Sequence, residues 1–271
     1  MPLISILTTE YAPSAHYVEE TIAAVRQLKA PDGWSVEWVV QEDGADPQLA
    51  DRYRDIPNVR YAANGAQLGI AYTRNLGLSR VAGELVQVLD HDDVLLPHAL
   101  TTMVPAFDDP AIHWAVGQAD DLLPDGSRAS FDSALPYGVI EPGAVNDWAI
   151  AHAGNWPVHC AGLMIRTATL RALGGWTGIP TDDDIAMFAG LSEVTAGFNE
   201  PQVTWLYRQH SNQIHRSDRW TSRNTEGRFV ALERVSAMRT AGLSFGRPRS
   251  NGFDPAGVVG PIHPDKDKHD V

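Results

Sequence analysis

The feature that most restricts how this chain can fold is a repeated event: an apolar run of strand length stops abruptly at a polar cluster. Leu3-Ile4-Ser5-Ile6-Leu7 gives way to Thr8-Thr9-Glu10. The run 35–40 gives way to Gln41-Glu42-Asp43-Gly44, and Glu84-Leu85-Val86-Gln87-Val88-Leu89 to Asp90-His91-Asp92-Asp93. Continuous apolar runs of this length read as strands buried on both faces. Between them lie stretches of helical spacing. Val18, Ile22, Val25 and Leu28 stripe a helix over 15–29 that Ser14 can cap, and a second helix covers 70–81 after Gly69. A short strand over 59–61 and a helix opened by Pro97 and running to 107 complete the first part.

Strands alternating with helices over short connections imply parallel pairing with right-handed crossovers and helices on both faces of the sheet. In such sheets ligands bind outside the carboxyl ends of the strands. The three polar clusters all fall at those ends, so the fold is expected to bring Thr8-Thr9, Glu42-Asp43 and 90–93 to one edge. The rest of the chain is less regular. It reads as strands over 113–118, 160–165 and 203–207, a turn at Asp125-Gly126, and helices over 142–151, 167–173, 182–196 and 225–241. Gly174-Gly175 stops the helix 167–173, 211–223 is a polar loop, and the end is rich in Gly, Pro, Asp and Lys.

Asp90-His91-Asp92-Asp93 is the segment with the clearest chemistry. Three carboxylates in four residues, directly after a buried strand, repel one another unless a cation joins them. Oxygen ligands of this kind suit Mg2+ or Mn2+, commonly held by one or two carboxylates together with substrate phosphates. The alternative is a solvated acidic loop. The net charge of −13 and the absence of a basic run argue against a nucleic-acid partner. There is no apolar stretch of the ~20 residues a membrane span needs, and so no integral membrane segment is expected. A single cysteine, Cys160, and a start without leader-like character make a cytoplasmic protein the expectation. Cys160 reads as a buried small hydrophobe, and His159 beside it as structural.

The run Gly69-Ile70-Ala71-Tyr72-Thr73-Arg74-Asn75-Leu76-Gly77, followed by Gly83 through Pro97 with its Asp90-His91-Asp92-Asp93, resembles the core of the family 2 glycosyltransferases of the GT-A fold. Thr8-Thr9-Glu10, Glu42-Asp43-Gly44, Gly162-Leu163-Met164-Ile165-Arg166, Leu173-Gly174-Gly175-Trp176 and Asp182-Asp183-Asp184 match further landmarks in the same order. The resemblance spans roughly residues 2–215 and implies an α/β, Rossmann-like, mostly parallel sheet with a smaller mixed acceptor-side region. It implies a nucleotide-sugar-binding half at 1–110, an acceptor-binding and catalytic-base half at 111–245, and a tail at 246–271.

The same resemblance implies roles. Thr8, Thr9 and Glu10 line the nucleotide pocket, and Asp43 hydrogen-bonds the base, typically uracil. Gly69 and Arg74 approach the diphosphate or base, Asp90 sits by the ribose, and His91 lies beside it on the donor side. Asp92 ligates the Mn2+ or Mg2+ that bridges the diphosphate, with His210 completing the metal shell. His215 and Arg216 clamp phosphates from a closing loop. Asp182 aligns with the general base that deprotonates an acceptor hydroxyl, with Asp183 as its alternative because the family usually shows Glu-Asp where this chain has Thr181-Asp182. Capping of the following helix is an equally physical use of Asp182.

Among Trp148, Trp156, Trp176 and Trp220, Trp176 is the candidate for stacking on an acceptor sugar, because it follows the Gly174-Gly175 turn. The expected activity is inverting transfer of a hexose or N-acetylhexosamine from a nucleotide diphosphate donor, a UDP-sugar, to a hydroxyl-bearing acceptor. Two alternatives stay open. A nucleotidyltransferase shares a related sheet, but its usual glycine-rich basic stretch is absent after the first strand. A non-catalytic nucleotide-sugar-binding module would bind the donor without turnover.

Overall fold

The computed structural model describes residues 1–211, 213 and 216–245. His215 and the tail 246–271 lie outside the described residues. The elements run β1 (Leu3–Glu10), α1 (Val18–Arg26), β2 (Ser35–Glu42), α2 (Ala50–Tyr53), β3 (Val59–Ala63), α3 (Ile70–Arg80), β4 (Leu85–Val88), β5 (Val94–Leu95) and α4 (Ala99–Met103). They continue with β6 (Ile112–Leu122), β7 (Arg128–Ser130), β8 (Gly138–Ile140), α5 (Ala144–Ala151), β9 (Leu163–Arg166), α6 (Thr167–Ala172), α7 (Asp183–Val194), β10 (Ala196–Arg208), α8 (Asp218–Thr221) and α9 (Asn224–Thr240).

One sheet takes the order β3-β2-β1-β4-β9-β6-β10-β5, with β7 added beside β6 and β8 beside β10. The first four strands are parallel, as the alternation of strand and helix requires. β9 then enters antiparallel to both β4 and β6, and β6 and β10 are again parallel. The expected α/β architecture, with a parallel first part and a mixed second part, is therefore present in one continuous sheet.

Helices cover both faces. Ile6, Trp38 and Val40 on one face pack against Val18 and Ile22 of α1 and Tyr53 of α2. Leu7, Val39 and Val86 on the other pack with Leu78 of α3 and with Met187, Phe188 and Leu191 of α7. Cys160 belongs to this second core, buried as expected. No described helix is long and apolar enough to cross a membrane.

Several boundaries differ from the sequence expectation for identifiable reasons. β1 does not stop at Leu7 but runs on through Thr8-Thr9-Glu10, pairing Thr8 with Val40 and Glu10 with Glu42. Ser14 does not cap α1, which begins at Val18; it ends a separate 3-10 turn, Ala12–Ser14, and its hydroxyl donates to the Tyr11 carbonyl at 3.0 Å. The helix expected from Pro97 to 107 is split into α4 and a 3-10 segment, Val104–Asp108, where Pro105 cannot donate to the preceding turn. β10 is 13 residues long, against the five expected, because Pro201 reads as a strand breaker. The ladder to β6 skips there, with irregularities between Glu200 and Val203, and the strand resumes beyond the bulge.

β6 and β10 meet closely enough that small residues decide the fit. Trp114 is fully buried and lies edge-on to Phe188 at 4.9 Å between ring centroids. Gly197 of β10 leaves the room that this indole fills; a Cβ there would fall within the ring. Gly197→Ala is expected to lower stability by about 1–3 kcal/mol through overpacking, read as a lower denaturant midpoint with an unchanged slope.

Candidate active site

The acidic segment after β4 is folded as a tight turn, with the Asp93 amide donating to the Asp90 carbonyl at 3.2 Å. The turn points Asp90, His91 and Asp92 into a cleft of about 680 Å³ at the carboxyl edge of the sheet. Asp93 turns inward. Its Oδ1 accepts the Arg208 amide at 2.9 Å, and burial, reinforced by Asp92 and Asp90, pushes its carboxyl well above the ordinary carboxylate range.

The antiparallel pairing of β10 with β5 brings the end of β10 against this turn. His210 consequently meets Asp92, Nε2 to Oδ2 at 2.9 Å, joining the two residues expected at a metal. Arg208 braces the turn from behind: Nε donates to the Asp92 carbonyl at 2.7 Å, Nη2 reaches Glu20 at 2.7 Å, and the guanidinium lies 4.2 Å over the Tyr17 ring.

Arg74 of α3 ties this turn to the other acidic cluster. Nη2 donates to Asp90 Oδ1 and Nη1 to Asp183 Oδ2, both at 2.9 Å, in a site that leaves Arg74 only 5% exposed. Burial opposes the guanidinium charge, but Asp183 and Asp90 overcome that and hold it well above its ordinary range. On the carboxylate side, burial raises Asp183 to about 6 despite Arg74.

Asp182, one residue earlier, is different. It has a left-handed backbone (φ 56°, ψ 31°) just before α7, and its side chain caps no helix amide. The backbone bond from the Ala186 amide to the Asp182 carbonyl, 2.9 Å, closes the first turn instead. Its Oδ2 is buried without a hydrogen-bond partner, and Arg228 Nε of α9 stands 3.9 Å away. Burial, with help from Asp184 and against the pull of Arg228, raises this carboxyl to about 6. Asp90, Asp92, Asp182 and Asp183 all line the one cleft.

The remaining expected donor residues divide by strand alternation. Because β1 continues through residue 10, neighbouring side chains point to opposite faces. Thr9 lines the cleft, as expected. Thr8 does not: it is buried on the α1 side and accepts the Trp38 indole N–H at 3.0 Å. Glu10 faces that side too, accepting a hydrogen bond from Tyr53 while its second oxygen is buried without one. Burial raises Glu10 to about 7, with His91 and the Tyr53 bond opposing.

Asp43 lies at the same edge, beside rather than in the cleft. It accepts the Leu68 amide at 2.6 Å, the Gly69 amide at 3.0 Å and the Asn64 side chain at 3.1 Å, and so fixes the entry to α3. Gly69, at φ 91°, makes the turn into α3 and does not itself line the cleft. His91 lines the cleft and lies 3.2 Å from the Ser14 hydroxyl. Arg216 is bonded to Gln209 at 2.7 Å and is not among the residues lining the cleft, and His215 falls outside the described residues.

Trp176 corrects the acceptor expectation. It is 3% exposed, packed in the core beneath Arg74 with its backbone held by Asn75, and it does not line the cleft. Trp156 and Trp220 do. Sequence reasoning assigned no role to Arg208 or Arg228. Arg208 ends a strand that a proline disguises, and Arg228 sits on a helix whose spacing gives no sign that it faces a carboxylate.

Among the described residues no three His, Cys, Asp or Glu side chains gather as a self-sufficient metal cluster. Asp92 and His210 are the residues that would hold a Mn2+ or Mg2+ together with the phosphate oxygens of a donor, one or two protein ligands sufficing in such a site.

Comparison with known proteins places the fold and part of the sequence. Residues 5–132 match the family model described as glycosyl transferase family 2. The succinoglycan biosynthesis protein ExoO of Rhizobium meliloti (strain 1021) is 32% identical over 120 residues, 43% of this chain and 34% of that protein. Among solved structures, residues 1–349 of S. aureus TarS superpose with a TM-score of 0.60 at 18% identity, covering 77% of this chain and 60% of that one. The same fragment in complex with UDP-GlcNAc gives 0.62 at 17% identity, covering 79% and 60%. The chain thus spans about a third of the curated relative, 34%, and 60% of these solved chains. The shared fold is GT-A, and the resemblance to family 2 read in the sequence holds.

Two outcomes test this geometry. Arg74→Met leaves the buried Asp183 and the half-buried Asp90 without their cation and is expected to cost about 3–5 kcal/mol in denaturant unfolding. Glu10, raised from 4.5 to about 7 in the fold, stabilises the protein fully below pH 4.5 and loses that contribution as pH rises through 7. Glu10→Gln is therefore expected to melt a few degrees above the parent at pH 8 and close to it at pH 4.5 in thermal scans.

Proposed function

We propose that this chain, a glycosyl transferase family 2 sequence over residues 5–132, moves a sugar from a UDP-sugar to an acceptor hydroxyl with inversion at the anomeric carbon. The observation that carries the reading is the convergence, in one cleft, of the Asp90–Asp92 turn and the Asp182-Asp183 pair, with Arg74 bonded to Asp90 on one side and Asp183 on the other. The sharing of this fold with S. aureus TarS, solved with UDP-GlcNAc bound, supports a UDP-linked donor.

The residues would work as follows. The diphosphate of the donor lies against the 90–93 turn, and Asp90 is held beside it by Arg74. A Mn2+ or Mg2+ held by Asp92 and His210 would neutralise the charge that develops on the departing UDP. The acceptor hydroxyl enters from the Trp156 and Trp220 side of the cleft, where an indole can cover a sugar face. Its oxygen attacks the anomeric carbon opposite the leaving group. The bond to the diphosphate breaks, and the hydroxyl proton passes to Asp182 Oδ2, which has no other hydrogen-bond partner. Asp183 is unsuited to that task because its Oδ2 already accepts from Arg74. One displacement without a covalent intermediate gives inversion.

Asp182→Asn is expected to reduce transfer by roughly 10²–10⁴-fold while leaving thermal stabilisation by UDP intact. An unchanged rate in that variant would overturn Asp182 as the base, and UDP stabilisation of a parent that transfers no sugar would leave a donor-binding module without turnover. The parent's kcat/KM is expected to fall as pH drops through about 6, where Asp182 takes up its proton. Stabilisation by UDP is expected to depend on Mn2+ and to weaken in Asp92→Asn; a response confined to CTP or ATP would instead point to nucleotidyl transfer.

A further inference from the structure

α9 lies unusually close to the segment that carries Asp182. A Cβ at Gly227 would stand 2.5 Å from the Thr181 carbonyl and 3.0 Å from the Asp182 Cβ, so a residue with any side chain there would push the helix away. The Thr181 hydroxyl donates to the Arg223 carbonyl at 3.1 Å, fastening the same two segments once more. Asp182 itself is a non-glycine residue at φ 56°, a conformation that persists only where the surroundings enforce it. With the helix seated this closely, Arg228 enters the cleft: its Nε faces Asp182 Oδ2 at 3.9 Å and its Nη1 is held by Asn155.

Among the described residues the charged groups that act on Asp182 are few. From α7 come Asp183 and Asp184, the first neutralised by Arg74 of α3. From α9 comes Arg228, while the Arg223 side chain is turned to Glu226 at 4.0 Å. Two acids therefore disfavour the ionised form of Asp182, and Arg228 is the cation that faces it.

We propose that Arg228, seated by the close approach at Gly227, is a positioning residue that keeps the Asp182 carboxylate aimed at the cleft and ionised. This rests on Asp182 being the base of the transfer. Arg228 touches no reacting atom. It acts through the carboxylate, from a helix about 45 residues further along the chain and outside the segment that matches the family model. The contact is longer than a direct hydrogen bond, which leaves Oδ2 able to take a proton from an acceptor.

The test uses the full chain carrying Arg228→Met, Arg228→Lys, Asp182→Asn and the double variant Asp182→Asn/Arg228→Met. Carboxyl 13C resonances are followed against pH, and the Asp182 signal is identified by its loss in Asp182→Asn. The Asp182 midpoint is expected to rise by about one pH unit in Arg228→Met and to return most of the way in Arg228→Lys. The acidic limb of kcat/KM should move with it, so that Arg228→Met loses several-fold in rate near pH 6 and little at pH 8. On the Asp182→Asn background the arginine change should have no further effect. An Asp182 midpoint unmoved in Arg228→Met, or an equal loss of rate with and without Asp182, overturns the inference. A shifted midpoint in a parent that transfers no sugar would uphold the pairing and overturn the catalytic reading on which its purpose rests.

Discussion

Arg74 stands where two acidic clusters from distant parts of the chain would otherwise repel each other. Asp90 comes from the turn after β4 and Asp183 from the start of α7, and each gives one oxygen to a different nitrogen of the same guanidinium. A planar fork with two parallel donors can bridge two carboxylates at fixed separation, which a lysine ammonium cannot do with the same geometry. The site tolerates burial because the charges are paired and hydrogen-bonded. Trp176 and Asn75 underlie it, so that the arginine is held from below as well as from its two sides. The position of α7, and with it of Asp182, follows from this bridge.

Around that bridge the carboxylates are sorted into distinct states. Asp93 is buried and bonded to the Arg208 amide, Asp183 is bonded to Arg74, Asp92 faces His210, and Asp182 keeps one buried oxygen without a hydrogen-bond partner. Burial raises Asp93, Asp182 and Asp183 alike, and it is their hydrogen-bond partners that differ from one carboxylate to the next.

The edge of the sheet was legible from the sequence because an apolar run ending in polar residues has few structural explanations. The 90–93 turn, Arg74, His210 and the Asp182-Asp183 pair all reach the expected cleft. Thr8 was misplaced for a geometric reason: the hydrogen-bond ladder to β2 carries the strand through the polar cluster, so alternation sends Thr8 to the opposite face from Thr9. Trp176 was assigned to the surface of a site when its indole fills the core below it, a distinction composition cannot make. Pro201 hid half of β10, because a proline signals a break in a strand and a bulge absorbs it only in three dimensions. Arg228 and Gly227 were illegible since their meaning lies in what α9 packs against, and no local pattern records that.

The order of strands carries a further consequence for how the chain reaches this state. β4 pairs with β1 on one side and with β9 on the other, yet β9 follows it by some seventy residues that include α4, β6 and α5. During synthesis the nascent parallel unit can assemble first, but the β4 flank then presents bare amides and carbonyls until the later strand arrives to zip into the gap. Such delayed closure raises contact order, slows the search and leaves a sticky rim to which another chain could attach. The two β9 neighbours thus set the window in which a chaperone would have most to protect.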